Sequence, residues 1–328
     1  SIVTGIFRTN NPLNTFLLFV YGILLKFGWL SHSQVPVIQK SNGFLFNDIL
    51  KVIKPFLDSY PSGYFIITYL LLFTQAISFN QLIASRRLMQ KPNYLPAMSY
   101  LLITSLFSEW NQLSAPLLLN SILIWIWAQM SSLNNIQHPK STLYNIGIAI
   151  GICSFLYLPS FAFILLIIFS LIIMRPPRAA EWFINILGVL TPWYFLAAFL
   201  FLNNNLYSFH LTGFGFSYPV YHSIKPELIA ISLIILLAII GGFFVQSISS
   251  KQVLLVRKNW QLMFLYLLIA FGVPFINRVI ENTYWLLVAV PVSAFIACAF
   301  YFPRIKWIPR ILHWGVVGFV LYMEYFQK

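Results

Sequence analysis

Long apolar runs, mostly about 16 to 23 residues, alternate with short polar intervals over almost the whole chain, and that is the length a helix needs to cross a bilayer. The strict apolar and polar alternation of a membrane barrel strand is absent from them, so the pattern predicts an all-α, polytopic integral membrane protein with about eleven transmembrane helices. The spans fall at about 13–30, 62–84, 95–109, 115–133, 142–158, 160–174, 183–202, 228–248, 260–276, 284–302 and 311–326. Pro116 and Pro159 stand where hairpins between spans turn.

The first long polar interval, residues 31–61, holds a different pattern. Phe46, Ile49, Leu50, Ile53 and Leu57 recur at helical spacing, while Asn47, Asp48, Lys51, Lys54 and Asp58 take the opposite side. Such a stripe suits a helix lying in the membrane interface. Asn47 is the expected cap, Asp48 the first-turn charge favoured by the helix dipole, and Pro55 the expected kink or end. Asp48 then has two readings, a capping charge or a functional carboxylate.

Composition narrows the solvent. Hydrophobic residues make up 59% of the 328 residues and charged residues 8%, against roughly 25% charged in an average soluble domain. The formal net charge of +13 raises the question of a nucleic-acid partner. Its distribution answers it. With the N-terminus inside, the cytoplasmic loops collect thirteen cations, from Arg8 through Arg86, Arg87 and Arg175 to Arg310, against Glu181 alone. The outer side collects seven cations and six acids. Alternate loops obey the positive-inside rule, giving an N-in, C-out arrangement in which the basic loops are topological signals and contacts for anionic headgroups. No nucleic-acid role is expected. The first apolar run, preceded by Arg8 and followed by no small-residue cleavage pattern, reads as a retained signal anchor. Cys153 and Cys298 lie within apolar spans and form no metal motif.

Signatures of soluble enzymes are missing: there is no P-loop, GxGxxG, HExxH or GxSxG. The chemistry left to consider is the segregation of acids to the outer side, with Asp48 and Glu109 in the first two outer connections. Brought together, they would bind a divalent metal through oxygen, magnesium or manganese by ligand type, or one would act as a general base. The plainer reading is that insertion tolerates acids outside. The second large outer loop, 203–227, carries aromatics, Gly213, Gly215, His210 and His222, which form either a lid with a sugar-stacking surface or an aromatic belt folded onto the interface. No acid falls mid-membrane, which disfavours ion-coupled transport, and Lys26 is close enough to the outer end of its span to snorkel.

This layout of a first span, a long outer loop with an interface helix, close hairpins through the seventh span and a second large outer loop resembles the GT-C superfamily of polyprenyl-phosphate-sugar glycosyltransferases. The resemblance covers about residues 1–230, leaving 231–328 as additional C-terminal transmembrane helices. It implies sugar transfer from a polyprenyl-phosphate donor to a lipid or cell-envelope acceptor at the outer leaflet. Asp48 would be the catalytic base, and Glu109 would hold a metal or orient the acceptor. Lys51, Lys54, Lys225 and Arg278 would contact the phosphate, and the 203–227 loop with His210 and His222 would contact the sugar. The chain is also similar to polytopic inner-membrane proteins of Bacteroidota, which implies a bacterial inner-membrane location. Only seven acids are present, with none from Ser31 to Asn47, and this favours an alternative: a non-catalytic membrane subunit or scaffold with protein partners in an envelope complex.

Overall fold

The computed structural model describes residues 2–176, 178–211, 214–219 and 225–326. Among these residues it is all-helical, with thirteen α-helices and no strand. They are α1 (Ile2–Phe7), α2 (Leu13–Ser31), α3 (Phe44–Leu57), α4 (Ser62–Ser85), α5 (Leu95–Thr104), α6 (Ala115–Met130), α7 (Lys140–Leu156), α8 (Ile164–Met174), α9 (Ala179–Leu202), α10 (Lys225–Ser249), α11 (Leu254–Gly272), α12 (Leu286–Tyr301) and α13 (Trp307–Tyr325). Seven helical segments among the described residues are long and apolar enough to cross a membrane, and the chain is an integral membrane protein. Helices are the natural answer for such a chain, because hydrocarbon offers backbone N–H and C=O groups no partner outside the segment. Each of the eleven expected intervals contains a helix, but four of them fall outside the seven candidate crossings: α5, α7 and α8, which are shorter, and α13.

α5 and α12 form the centre. Every residue of α5 is buried, as is nearly every residue of α12, and α4, α6, α10, α11 and α13 pack around the two. Between apolar helices, specificity comes from small residues and from a few interior hydrogen bonds. Gln75 of α4 donates to the Leu117 carbonyl and Ser121 of α6 and accepts from Tyr100 of α5, tying three helices at one side chain. Asn120 of α6 donates to the Leu286 carbonyl of α12. α7 and α9 meet through Gly147 and Gly188, where a Cβ on either would strike the other helix's backbone.

The connections alternate between two ends of the bundle. At one end Trp260 donates to the Leu88 carbonyl, Arg86 to Ser131 and Arg175 to the Leu133 and Ile136 carbonyls, so the cation-rich turns are joined to one another. We call this the basic end; its acid, Glu181, is paired with Arg175 at 3.4 Å. At the other, acidic end, Gly43 N–H donates to the Leu156 carbonyl, Tyr284 to Asn42, Trp110 to the Asn282 carbonyl and Gln112 to Gln34.

Helix α3 contains the stripe residues, with Phe46 and Leu50 buried against the bundle. Its start does not follow expectation. The helix begins at Phe44, so Asn47 lies inside it and donates to the Gln39 carbonyl instead of capping, and the first turn carries no acid. Backbone docking decides this: Gly43 is pressed against the α7 C-terminus, where a Cβ would collide with the Phe155 carbonyl. Pro55 lies in the last turn, and the helix ends two residues later at Leu57.

Candidate functional site

The structure separates the residues that the sequence grouped. Asp48 lies on the exposed side of α3 and is ion-paired with Lys51 at 2.8 Å, with both side chains more than half exposed. Lys54 stands 4.0 Å from Asp58, which also accepts a hydrogen bond from Tyr64. Glu109 is half-buried on a 3₁₀ turn, Ser108–Asn111, and accepts from Ser108 at 3.2 Å. α3 packs on α7, whereas the Glu109 turn packs on α2, α4 and the turn at 282–285, so the two carboxylates belong to different packing units. The carboxylate whose charge acts together with that of Glu109 is Glu227, at the start of α10. Among the described residues no three His, Cys, Asp or Glu side chains gather as a metal group. Asp48 and Glu109 stand on different elements, each with its own packing partners.

His210 is exposed beyond α9. His222, Gly213 and the side chain of Lys225 lie outside the described residues. Arg278 has a structural partner: its Nε donates to the Phe214 carbonyl at 3.0 Å. Beside it, Gly215 N–H donates to the Ile276 carbonyl, Ser217 N–H to the Phe275 carbonyl, and the Ser217 hydroxyl to the Asn277 carbonyl. The described part of the second loop is therefore stitched to the α11–α12 connection, with Phe216 and Tyr218 left exposed.

What the acidic end does build is a polar cavity of about 220 Å³ between α2, the 108–112 turn and α13. Trp29, His32, Ser108, Asn111, Gln112 and Glu324 are among its lining residues. α2 and α13 run parallel here, since Tyr21 meets His313 at 2.8 Å and, further along both helices, Gly28 faces Glu324. Glycine at 28 is what admits the carboxylate; a Cβ there would stand 2.8 Å from that of Glu324. Glu324 is 4% exposed, has no side-chain hydrogen-bond partner, and faces the backbone N–H groups of Gly28 and Trp29.

Behind the cavity wall is Lys26, which does not snorkel. It is wholly buried, and its ammonium donates to Thr104 Oγ1 at 2.9 Å and Asn111 Oδ1 at 2.8 Å. The outward route is closed because the 105–114 turn lies across it, with Trp29 Nε1 bonded to the Ser105 carbonyl at 3.0 Å. Asn111 is held in turn, donating to the Thr104 and Phe107 carbonyls. Lys26 and Glu324 interact electrostatically without forming a direct ion pair. The bundle thus contains, towards its acidic end, a buried cation and a buried acid that the hydropathy pattern did not show. The available signal was Lys26 itself, a charge inside an apolar run.

The same turn has a second face. Phe107 and Trp110 line an apolar groove of about 310 Å³ with Ile231, Ile234, Phe271 and Trp285. A smaller polar pocket of about 70 Å³ adjoins through Gln112, where the first loop meets Glu281 and Tyr284. Burial there pushes the Glu281 carboxyl above its ordinary value, partly offset by the Gln39 side chain.

Comparison with protein-family models, with curated proteins and with solved structures finds no match to this chain.

Proposed function

We propose that the chain is a membrane-embedded glycosyltransferase of the GT-C kind, taking a sugar from a polyprenyl-phosphate donor at its acidic end. The acidic end faces the outside in this reading, with the basic end in the cytoplasm of a bacterial inner membrane, as the cation excess there favours. The parallel run of α2 and α13 suits an odd number of crossings between them and including them, as eleven spans would give.

One observation carries the reading: a buried carboxylate with no side-chain partner lines a polar cavity that shares a wall with an apolar groove. A lipid-linked sugar needs both environments, and the 108–111 turn lies between them. Glu324 accepts the proton of an acceptor hydroxyl, whose oxygen attacks the anomeric carbon as the bond from that carbon to the phosphate oxygen breaks. Lys26 offsets the carboxylate's charge and fixes Asn111, while His32, in the same cavity, donates a hydrogen bond to the departing phosphate. Glu109 and Glu227 stand near the groove side, where a divalent cation would be held if the reaction uses one. The apolar groove takes the prenyl chain.

The test is covalent transfer by the purified chain in proteoliposomes, supplied with radiolabelled polyprenyl-phosphate sugars and an envelope lipid extract. Labelled acceptor lost in Glu324→Gln supports the proposal; no labelled acceptor from the native chain refutes it. The buried Lys26 and Glu324 also favour a second reading, movement of the lipid-linked sugar between leaflets without covalent change. Flux without labelled acceptor would select it.

A further inference from the structure

A cleft of about 700 Å³ opens at the basic end between α8, α10, α11 and α12. Its walls are apolar, formed by Ile173, Val245, Phe264, Leu265 and Phe295, and its rim is polar, with Gln246, Gln252, Arg257 and Lys258. Two neighbouring glycines shape it. Gly241 lets α10 close onto α12, since a Cβ there would collide with the Phe295 carbonyl, while Gly242 meets nothing within 4 Å and leaves the cleft floor open.

The rim charges are uncompensated. The ion pairs among the described residues involve Lys51, Lys54 and Arg175, and the acid of this end, Glu181, is taken by Arg175. Arg257 and Lys258 therefore face the cleft mouth without an acid. The two features specify one ligand chemistry: a phosphate for the cations and an acyl chain for the apolar walls.

We infer that this cleft is a binding site for one anionic glycerophospholipid. Its phosphate lies between Arg257 and Lys258, and one acyl chain runs over Gly242 between α10 and α11. The site is independent of the transfer reading, because it lies at the opposite end of the bundle from Glu324.

The experiment is native mass spectrometry of the full chain, released from detergent after titration with phosphatidylglycerol, phosphatidylethanolamine or inorganic phosphate. One phosphatidylglycerol is expected to remain bound, at least tenfold tighter than phosphatidylethanolamine, and inorganic phosphate at equal concentration should not displace it. Gly242→Leu fills the cleft while keeping every charge, and R257A/K258A removes the cations while keeping the space; each should weaken retention at least tenfold. Lys251→Ala removes an exposed cation of the same end and should leave retention unchanged. Equal loss in Lys251→Ala, or full retention in Gly242→Leu, would mean diffuse charge attraction and would overturn the site. Loss of all lipid selectivity in the native chain would overturn it equally. Circular dichroism and detergent melting confirm that each variant is folded before it is scored.

Discussion

The two ends of the bundle bury charge in different ways. At the acidic end Lys26 is wholly buried on neutral partners, and Glu324 is buried without a side-chain partner. At the basic end the buried acid is in a direct pair, Glu181 with Arg175, while the other cations bond carbonyls, as Arg86 does, or stand free at a cleft, as Arg257 and Lys258 do. Burying a charge costs several kcal/mol, least where an opposite charge meets it directly. The contrast therefore separates a buried acid matched in place from a buried cation and acid held apart, and the cost left uncompensated points to function at the acidic end.

Predictions that break or sharpen this contrast follow in order of size. Lys26→Met leaves Glu324 without its nearby cation and leaves Asn111 Oδ1 without its ammonium donor. We expect a loss of about 3 kcal/mol in unfolding free energy, measured by denaturation in mild detergent. Adding Glu324→Gln should restore part of that loss, with a coupling of about 1 kcal/mol in a double-mutant cycle. Additive losses would show that the two charges do not interact.

Glu324→Gln alone keeps the side chain's shape and leaves Lys26 with Thr104 and Asn111. Its stability should change by less than about 1 kcal/mol, while transfer falls about 100-fold or more, as for removal of a general base. At the basic end, R257A/K258A should change stability by less than about 1 kcal/mol and leave transfer at the native rate. A matching loss of transfer there would erase the functional difference between the ends. The smallest effect belongs to Asp48→Asn. An exposed ion pair within one helix is worth at most about 0.5 kcal/mol, so melting should shift barely and transfer should be retained.

How much of this was legible in the sequence depends on the range of the cause. Helix positions were, because an apolar run is a local signal, and each apolar interval holds a helix even where it is too short to cross. The α3 stripe was legible because apolar residues at helical spacing mark one side of a helix. Its starting point was not, because Gly43 is fixed by contact with Phe155, more than a hundred residues away. Lys26 reads as a snorkelling residue until the 105–114 turn is seen to cover it, and that cover comes from a segment about 80 residues later. The burial of Glu324 was hidden for a similar reason: it comes from α13 packing beside α2, through Gly28. Asp48 had the opposite fate, since its helix turned it away from the bundle and gave it to Lys51. The basic cleft was hidden in a Gly-Gly pair whose two members do different things.

The central claim is that the buried carboxylate, and not the exposed one, does the chemistry. Measuring transfer from a polyprenyl-phosphate sugar side by side for Glu324→Gln, Glu109→Gln and Asp48→Asn, at equal amounts of folded protein in proteoliposomes, tests it most directly. The account predicts that Glu324→Gln loses transfer about 100-fold or more while Asp48→Asn keeps it. Native transfer in Glu324→Gln, with loss in Asp48→Asn, would contradict it.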